Sequence, residues 1–264
     1  RVRQLPRRLP GGRDLRGEEG CPMIELSIDG KRVTAEEGDT VLEAARAAGI
    51  GIPTLCYHPG LPPDGNCRLC LVEIERKGKR ELVISCMYGA RDGLVVHTRS
   101  SRIWKARSFV LKMLLERTPD DPLLKRMASH YGVAFEERFH IESDPCIRCG
   151  LCVRACEENG TEAIGFAKRG WEREVSAPFE EPPRDCTGCK ACAVVCPTGC
   201  IDVEEEGDVR RIWGKDFRLV RCALCGERFA TEEELAHLGL EGDEAKYCQR
   251  CRKMLFSARF LVGL

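Results

Sequence analysis

Sixteen of the eighteen cysteines in this 264-residue chain fall into four groups of four, and each group contains a C-x2-C step. Two cysteines at that spacing aim both sulfurs at one centre, which is how thiolates hold zinc or an iron–sulfur cluster. Disulfide frameworks rarely repeat the step so often, so the pattern points to metal ligation rather than a cross-linked scaffold. Thiolates kept as ligands need a reducing compartment, and the expected location is cytoplasmic.

The middle two groups carry the sharpest signal. Cys146-x2-Cys149-x2-Cys152-x3-Cys156 is followed by Cys186-x2-Cys189-x2-Cys192-x3-Cys196-Pro197. In a run of this type the fourth cysteine ligates the other cluster. One [4Fe–4S] cluster is therefore assigned to Cys146, Cys149, Cys152 and Cys196, and a second to Cys186, Cys189, Cys192 and Cys156. Structural zinc sites do not use this four-cysteine run. Gly150 and Gly188 let backbone approach the clusters closely. Cys156 is followed by Glu157 rather than proline, and Cys200 reads as a buried free thiol in a small core position.

Cys56-x10-Cys67-x2-Cys70-x15-Cys86 is a variant of the plant-type [2Fe–2S] spacing, with a longer first gap filled by Pro62-Pro63-Asp64-Gly65-Asn66. Four thiolates suffice, so His58 reads as a neighbour or plain loop residue. The last group, Cys222-x2-Cys225-x22-Cys248-x2-Cys251, has the look of two zinc-ribbon knuckles. Structural Zn2+ is favoured there, with a rubredoxin-like iron or a further cluster as alternatives.

These ligands need elements to hold them. Met23 to Thr34 alternates around Asp29-Gly30 as a hairpin, and Val41 to Ala48 reads as an amphipathic helix stopped by Gly49. Leu71 to Glu75 and Glu81 to Ile84 read as strands turning at Lys77-Gly78, and Gly93 to Thr98 as a closing strand. Together they predict a β-grasp unit around the first cysteine group. Ser101 to Arg117 and Asp121 to Tyr131 predict two cysteine-free helices, read as a spacer. Glu204-Glu205-Glu206-Gly207-Asp208 reads as a turn or linker.

The predicted class is α+β. Its parts are a disordered extension over 1–22, a [2Fe–2S] β-grasp domain over 23–99 and a helical spacer over 100–140. A two-[4Fe–4S] ferredoxin-like domain follows over 141–207, then a zinc-ribbon-like module and tail over 208–264. Lys plus Arg equals Asp plus Glu at 42 each, which gives no bulk charge for nucleic acid or a membrane surface. No apolar run reaches the length of a membrane span. Arg7-Arg8 is followed by no apolar stretch, so an export signal is not expected.

Gly51-Ile52-Pro53-Thr54-Leu55-Cys56-Tyr57-His58-Pro59 and Gly65-Asn66-Cys67-Arg68-Leu69-Cys70 resemble the [2Fe–2S] domain of the large iron–sulfur subunit of bacterial respiratory NADH dehydrogenase. The same domain occurs in iron–sulfur subunits of NAD-linked hydrogenases and formate dehydrogenases. Cys186-Thr187-Gly188-Cys189-Lys190-Ala191-Cys192 and Val195-Cys196-Pro197-Thr198-Gly199 resemble that family's ferredoxin-like domain. The resemblance covers about residues 23–203. Many members hold a further cluster in an H-x3-C-x2-C-x5-C pattern. Residues 91–144 contain no cysteine, so His97, His130 and His140 read as ordinary residues.

The resemblance implies an electron-relay subunit of a multi-subunit oxidoreductase linked to NADH, hydrogen or formate. Its partners would be a flavin- or NAD-binding subunit and a catalytic oxidoreductase subunit, with catalysis on the partner. A free-standing multi-cluster ferredoxin is the alternative. Nucleic-acid binding through the terminal module, hinted at by Arg250, Arg252 and Lys253, conflicts with the balanced charge. No residue is expected to act as acid, base or nucleophile.

Overall fold

The computed structural model describes residues 22–135 and 143–261. The N-terminal stretch through Cys21, and His140, lie outside them. The chain divides into two units, Arg1–Leu151 and Cys152–Leu264.

In the first unit, β1 (Met23–Ile28) and β2 (Lys31–Glu36) form an antiparallel hairpin whose turn, Asp29-Gly30, has positive φ at both positions. That is the twist a two-residue hairpin favours. The helix α1 (Val41–Ala47) starts at a capping box between Thr40 and Glu43, and buries Val41, Leu42, Ala44 and Ala45. The strands β3 (Leu71–Arg76) and β4 (Lys79–Ile84) turn at Lys77-Gly78, again with both φ positive. A short strand β5 (Val95–His97) closes the sheet in the order β2-β1-β5-β3-β4, with β1 and β5 parallel. Leu26, Ile28, Val33, Val72, Ile74 and Val96 meet α1 in one core.

Two further helices, α2 (Ser101–Arg117) and α3 (Pro122–His130), begin at the side-chain caps Ser100 and Asp121. They pack on each other, and α2 also packs against β3. Ile103, Leu111, Leu115 and Leu124 are fully buried. Arg107 lies on that same stripe and is only 5% exposed. Its guanidinium donates to the Leu69 and Leu71 carbonyls at 3.1 and 2.7 Å and to the Tyr131 hydroxyl at 3.1 Å. These cysteine-free helices are thus bonded to the loop between Cys67 and Cys70.

The second unit opens with α4 (Leu151–Glu158), a hairpin of β6 (Gly165–Ala167) and β7 (Glu174–Ser176), and a single turn α5 (Ala191–Val194). Four strands come next: β8 (Val203–Glu206), β9 (Val209–Ile212), β10 (Lys215–Arg221) and β11 (Arg228–Thr231). They form one sheet in the order β11-β10-β9-β8. The acidic run expected as a turn or linker is strand β8 through Glu206, with the turn confined to Gly207-Asp208. The reason is cross-strand charge: Glu204 stands opposite Arg211 and Glu205 opposite Arg210. Arg210, 4% exposed, donates to Glu205 at 2.8 Å and to the Gly188 carbonyl at 2.7 Å. Ile212 and Phe217 from this sheet share a core with Cys152, Cys192, Val153 and Ile164. The chain ends in α6 (Glu232–His237), α7 (Asp243–Lys246) and α8 (Gln249–Leu261). Among the described residues no helix is long and apolar enough to cross a membrane.

Candidate metal centres

Cys56, Cys67, Cys70 and Cys86 are all buried at the edge of the first core. The Leu55 N–H donates to Cys67 Sγ at 3.4 Å and the Cys67 N–H to Cys56 Sγ at 3.3 Å, while Cys70 and Cys86 sulfurs stand 3.4 Å apart. Within each sulfur pair one thiol donates to the other. The bond from Cys56 lowers Cys67 to about 7, and the bond from Cys86 lowers Cys70 to about 6. Cys56 and Cys86 are pushed up by the same sulfur contacts, with burial adding to the effect. All four sulfurs thus sit within electrostatic reach of one another. Four buried sulfurs with inward backbone N–H groups are a fitting donor set for a cluster whose sulfurs carry negative charge. His58 is exposed, and its Nδ1 accepts the Gly60 N–H at 3.1 Å, so it is a turn residue. His97 faces Glu75 at 2.9 Å, and His130 packs on Trp104 and Tyr131.

In the second unit Cys156, Cys186, Cys189 and Cys192 line one cavity, together with Asn159, Thr161, Thr187 and Trp213. Cys156 reaches it from the end of α4, Cys186 and Cys189 come from the loop that leads into α5, and Cys192 from α5 itself. The Ala163 and Gly188 N–H groups donate to Cys156 and Cys186 sulfurs at 3.2 and 3.4 Å, and Asn159 donates to Cys189 at 3.4 Å. Burial pushes Cys186 up, and pushes Cys192 up to about 11 against a lowering contact from Trp213. The Trp213 indole Nε1 is buried and faces the Cys192 sulfur without completing a hydrogen bond. Four thiols and an orphaned donor around one cavity fit a group that brings its own acceptor sulfurs.

Cys146 and Cys149 belong to the first unit, and Cys152 and Cys196 to the second. The two cysteine runs have the same backbone shape. In the first, Arg148 and Gly150 have φ of 56° and 74°; at the matching places in the second, Gly188 and Lys190 have 69° and 56°. Left-handed residues on either side of the middle cysteine curl each loop and turn N–H groups to its concave side. The Asp144 carboxylate fixes the start of the first run by accepting the Cys146 N–H at 2.7 Å and pairing with Arg148. Cys200 is half-buried rather than buried, and its sulfur lies 3.5 Å from that of Cys196.

The last four cysteines form the tightest group: the sulfurs of Cys222, Cys225, Cys248 and Cys251 all lie within 4.8 Å of one another. Cys222 and Cys225 sit on the turn between β10 and β11, where Gly226 at φ 73° returns its N–H to the Cys222 carbonyl. The second pair stands at the start of α8 rather than on a second β-knuckle, so the module joins one knuckle to a helix. Burial raises Cys222, but N–H groups of Cys225, Cys248 and Leu224 outweigh it and bring that thiol down to about 6. Burial pushes Cys251 up to about 12.

Three residues beside these centres carry no cysteine signal. Arg107 announced itself only as a charge at helical spacing between Ile103 and Leu111. Phe217 packs its ring over Gly188, where an added Cβ would lie 2.6 Å from Cγ. Lys215 donates to the Arg184 and Cys186 carbonyls, each at 3.0 Å. Phe217 and Lys215 lie in strand β10, well beyond the cysteine runs they support.

The 2Fe-2S iron-sulfur cluster binding domain family matches residues 22–101, and the 4Fe-4S dicluster domain family matches residues 139–203. A subunit of the NADH-quinone oxidoreductase of Rhizobium meliloti is 39% identical over 232 residues, covering 77% of this chain and 27% of that protein. The NADP-reducing hydrogenase subunit HndD of Solidesulfovibrio fructosivorans is 35% identical over 216 residues, 70% of this chain and 36% of its own. The chain thus spans 27% and 36% of the length of these two curated relatives. A chain in the crystal structure of an NAD+-reducing [NiFe]-hydrogenase in the H2-reduced state superposes with a TM-score of 0.59 at 27% identity. That match covers 85% of this chain and 99% of the other.

Proposed function

From a chain that carries a 2Fe-2S domain and a 4Fe-4S dicluster domain, and that is a homologue of iron–sulfur subunits of NADH-quinone oxidoreductases and NAD-reducing hydrogenases, we infer an electron-relay subunit of a multi-subunit oxidoreductase. Its clusters would carry single electrons between a flavin- or NAD-binding subunit and a catalytic subunit, in the cytoplasm. The observation that carries this reading is the convergence of Cys156 with Cys186, Cys189 and Cys192 on one cavity with inward donors.

Cys56, Cys67, Cys70 and Cys86 would hold the [2Fe–2S] cluster in a β-grasp domain. Cys186, Cys189, Cys192 and Cys156 would hold one [4Fe–4S] cluster. The shared loop shape and the crossed spacing support Cys146, Cys149, Cys152 and Cys196 as ligands of the other. The chain's own part is to bury these sulfurs, aim N–H groups at them and exclude water. Exposed apolar side chains favour the subunit over a free ferredoxin. Trp104 and Phe109 on α2, and Met254 and Phe256 on α8, are 46%, 62%, 53% and 62% exposed, surface that a docked partner covers.

Cys222, Cys225, Cys248 and Cys251 would hold one structural Zn2+, since four thiolates at this separation form a closed tetrahedral site. Iron, acid-labile sulfide and zinc measured on anaerobically purified chain test both readings. The expected result is about ten irons, about ten sulfides and about one zinc. Little iron with several zincs would sink the relay. About fourteen irons without zinc would make the terminal site a further cluster. Replacing Cys248 by alanine is expected to remove about one zinc per chain and leave iron unchanged; a loss of iron instead would overturn the zinc assignment.

A further inference from the structure

Trp213 occupies an unfavourable place for its type. Ile212 pairs with Lys215, so Trp213-Gly214 is the complete two-residue loop between β9 and β10. Their φ values are 54° and 71°, the shape that selects asparagine or aspartate followed by glycine. A bulky aromatic with positive φ is a steric outlier, of the kind retained where the surrounding structure gains from it. The loop does not use the ring for solvent. The side chain turns into the core of the second unit, against Ile212 and Phe217, and lines the cavity with Cys156, Cys186, Cys189 and Cys192. Its one polar atom, Nε1, is then shut away from water and faces the Cys192 sulfur without completing a hydrogen bond to it. Such an orphaned donor costs about 1–3 kcal/mol unless something accepts it.

We propose that Trp213 is a tuning residue for the second [4Fe–4S] cluster, its indole N–H donating a hydrogen bond to the cluster's sulfur set beside Cys192. The inference rests on the cluster assignment made above. Reduction adds negative charge to the cluster, so a donor at its sulfurs stabilises the reduced state more than the oxidised one and raises the midpoint potential. The strained turn and the buried N–H are then two parts of one device: the hairpin loop delivers the donor from well beyond that cluster's last ligand, Cys192.

The test is an electron-spin-resonance redox titration of the reconstituted full chain and its Trp213→Phe variant, which keeps an aromatic ring and removes the donor. The expected result is an unchanged iron content and one [4Fe–4S] signal that is harder to reduce. At a fixed ambient potential its reduced-to-oxidised ratio falls about tenfold, a shift of 59 mV for one electron. The signal of the other [4Fe–4S] cluster, assigned to Cys146, Cys149, Cys152 and Cys196, and the [2Fe–2S] signal keep their potentials. A second readout needs no variant to fold. With 15N-labelled tryptophan in the unaltered chain, hyperfine spectroscopy on the reduced cluster should detect one coupled indole nitrogen. Full clusters with an unshifted potential, or with no nitrogen coupling, overturn the tuning role while leaving the relay intact. Absence of [4Fe–4S] iron in the unaltered chain overturns the cluster assignment itself.

Discussion

Gly188→Ala is expected to empty the second [4Fe–4S] site, taking iron from about ten to about six per chain while the [2Fe–2S] absorbance survives. Two separate costs act at this residue. Its φ of 69° is left-handed, which costs a residue with a Cβ about 1–2 kcal/mol. The added methyl would also stand 2.6, 2.8 and 2.9 Å from three atoms of the Phe217 ring. Phe217 is 1% exposed and cannot move aside, so the overpacking adds about 1–3 kcal/mol. The Gly188 N–H that donates to Cys186 and the carbonyl that accepts from Arg210 are displaced together. Iron and sulfide analysis with electron spin resonance checks this; a Gly188→Ala chain with full iron would mean that the loop has slack that the packing denies it. Phe217→Leu, added to Gly188→Ala, should restore part of the iron because it removes the clash but not the backbone cost.

Arg107→Ala is expected to give the largest loss in the first unit, about 3–5 kcal/mol of stability. The deletion strands the Leu69 and Leu71 carbonyls and the Tyr131 hydroxyl, which now receive its donors at 2.7–3.1 Å. Leu69 lies between two of the four sulfurs, so the [2Fe–2S] absorbance should bleach at lower denaturant than the far-ultraviolet signal of the second unit. Arg107→Lys, with a single point donor, should fall in between. Equal denaturation midpoints for the unaltered and the Arg107→Ala chains would show that the guanidinium carries no weight in the fold.

Both predictions turn on residues that the cysteine pattern does not reveal, which marks where sequence reading succeeds and stops. The hairpins at Asp29-Gly30 and Lys77-Gly78, and the helices after Thr40, Ser100 and Asp121, were legible because their turns and caps are local. Ligand spacing is itself local chemistry, so the cysteine runs point to metal ligation from the sequence alone. The terminal sheet was not. Strand β8 reads as an acidic run, and it becomes a strand only when Arg210 and Arg211 stand across from it. Trp213 at a turn position and Phe217 over Gly188 depend on contacts with residues far back in the chain, which no short window of sequence contains. Cys200 reads as a small buried core position, whereas it is half-buried with its sulfur 3.5 Å from that of Cys196.

The far-sequence support of the second cysteine group also imposes an order on synthesis. Every part of the first sulfur site, from Cys56 through the helix pair ending at His130, leaves the ribosome in one early stretch. The second site has its last ligand at Cys192, yet the floor under it, Trp213 and Phe217, is translated later. At about 5–20 residues per second, with domains folding as they emerge, a nascent chain holds a finished first site beside an open second one. A biosynthetic scaffold delivering iron and sulfide to these sites would therefore load them from the N-terminus onward, and chains truncated before β10 would leave the second site unfilled however many of its cysteines they retain.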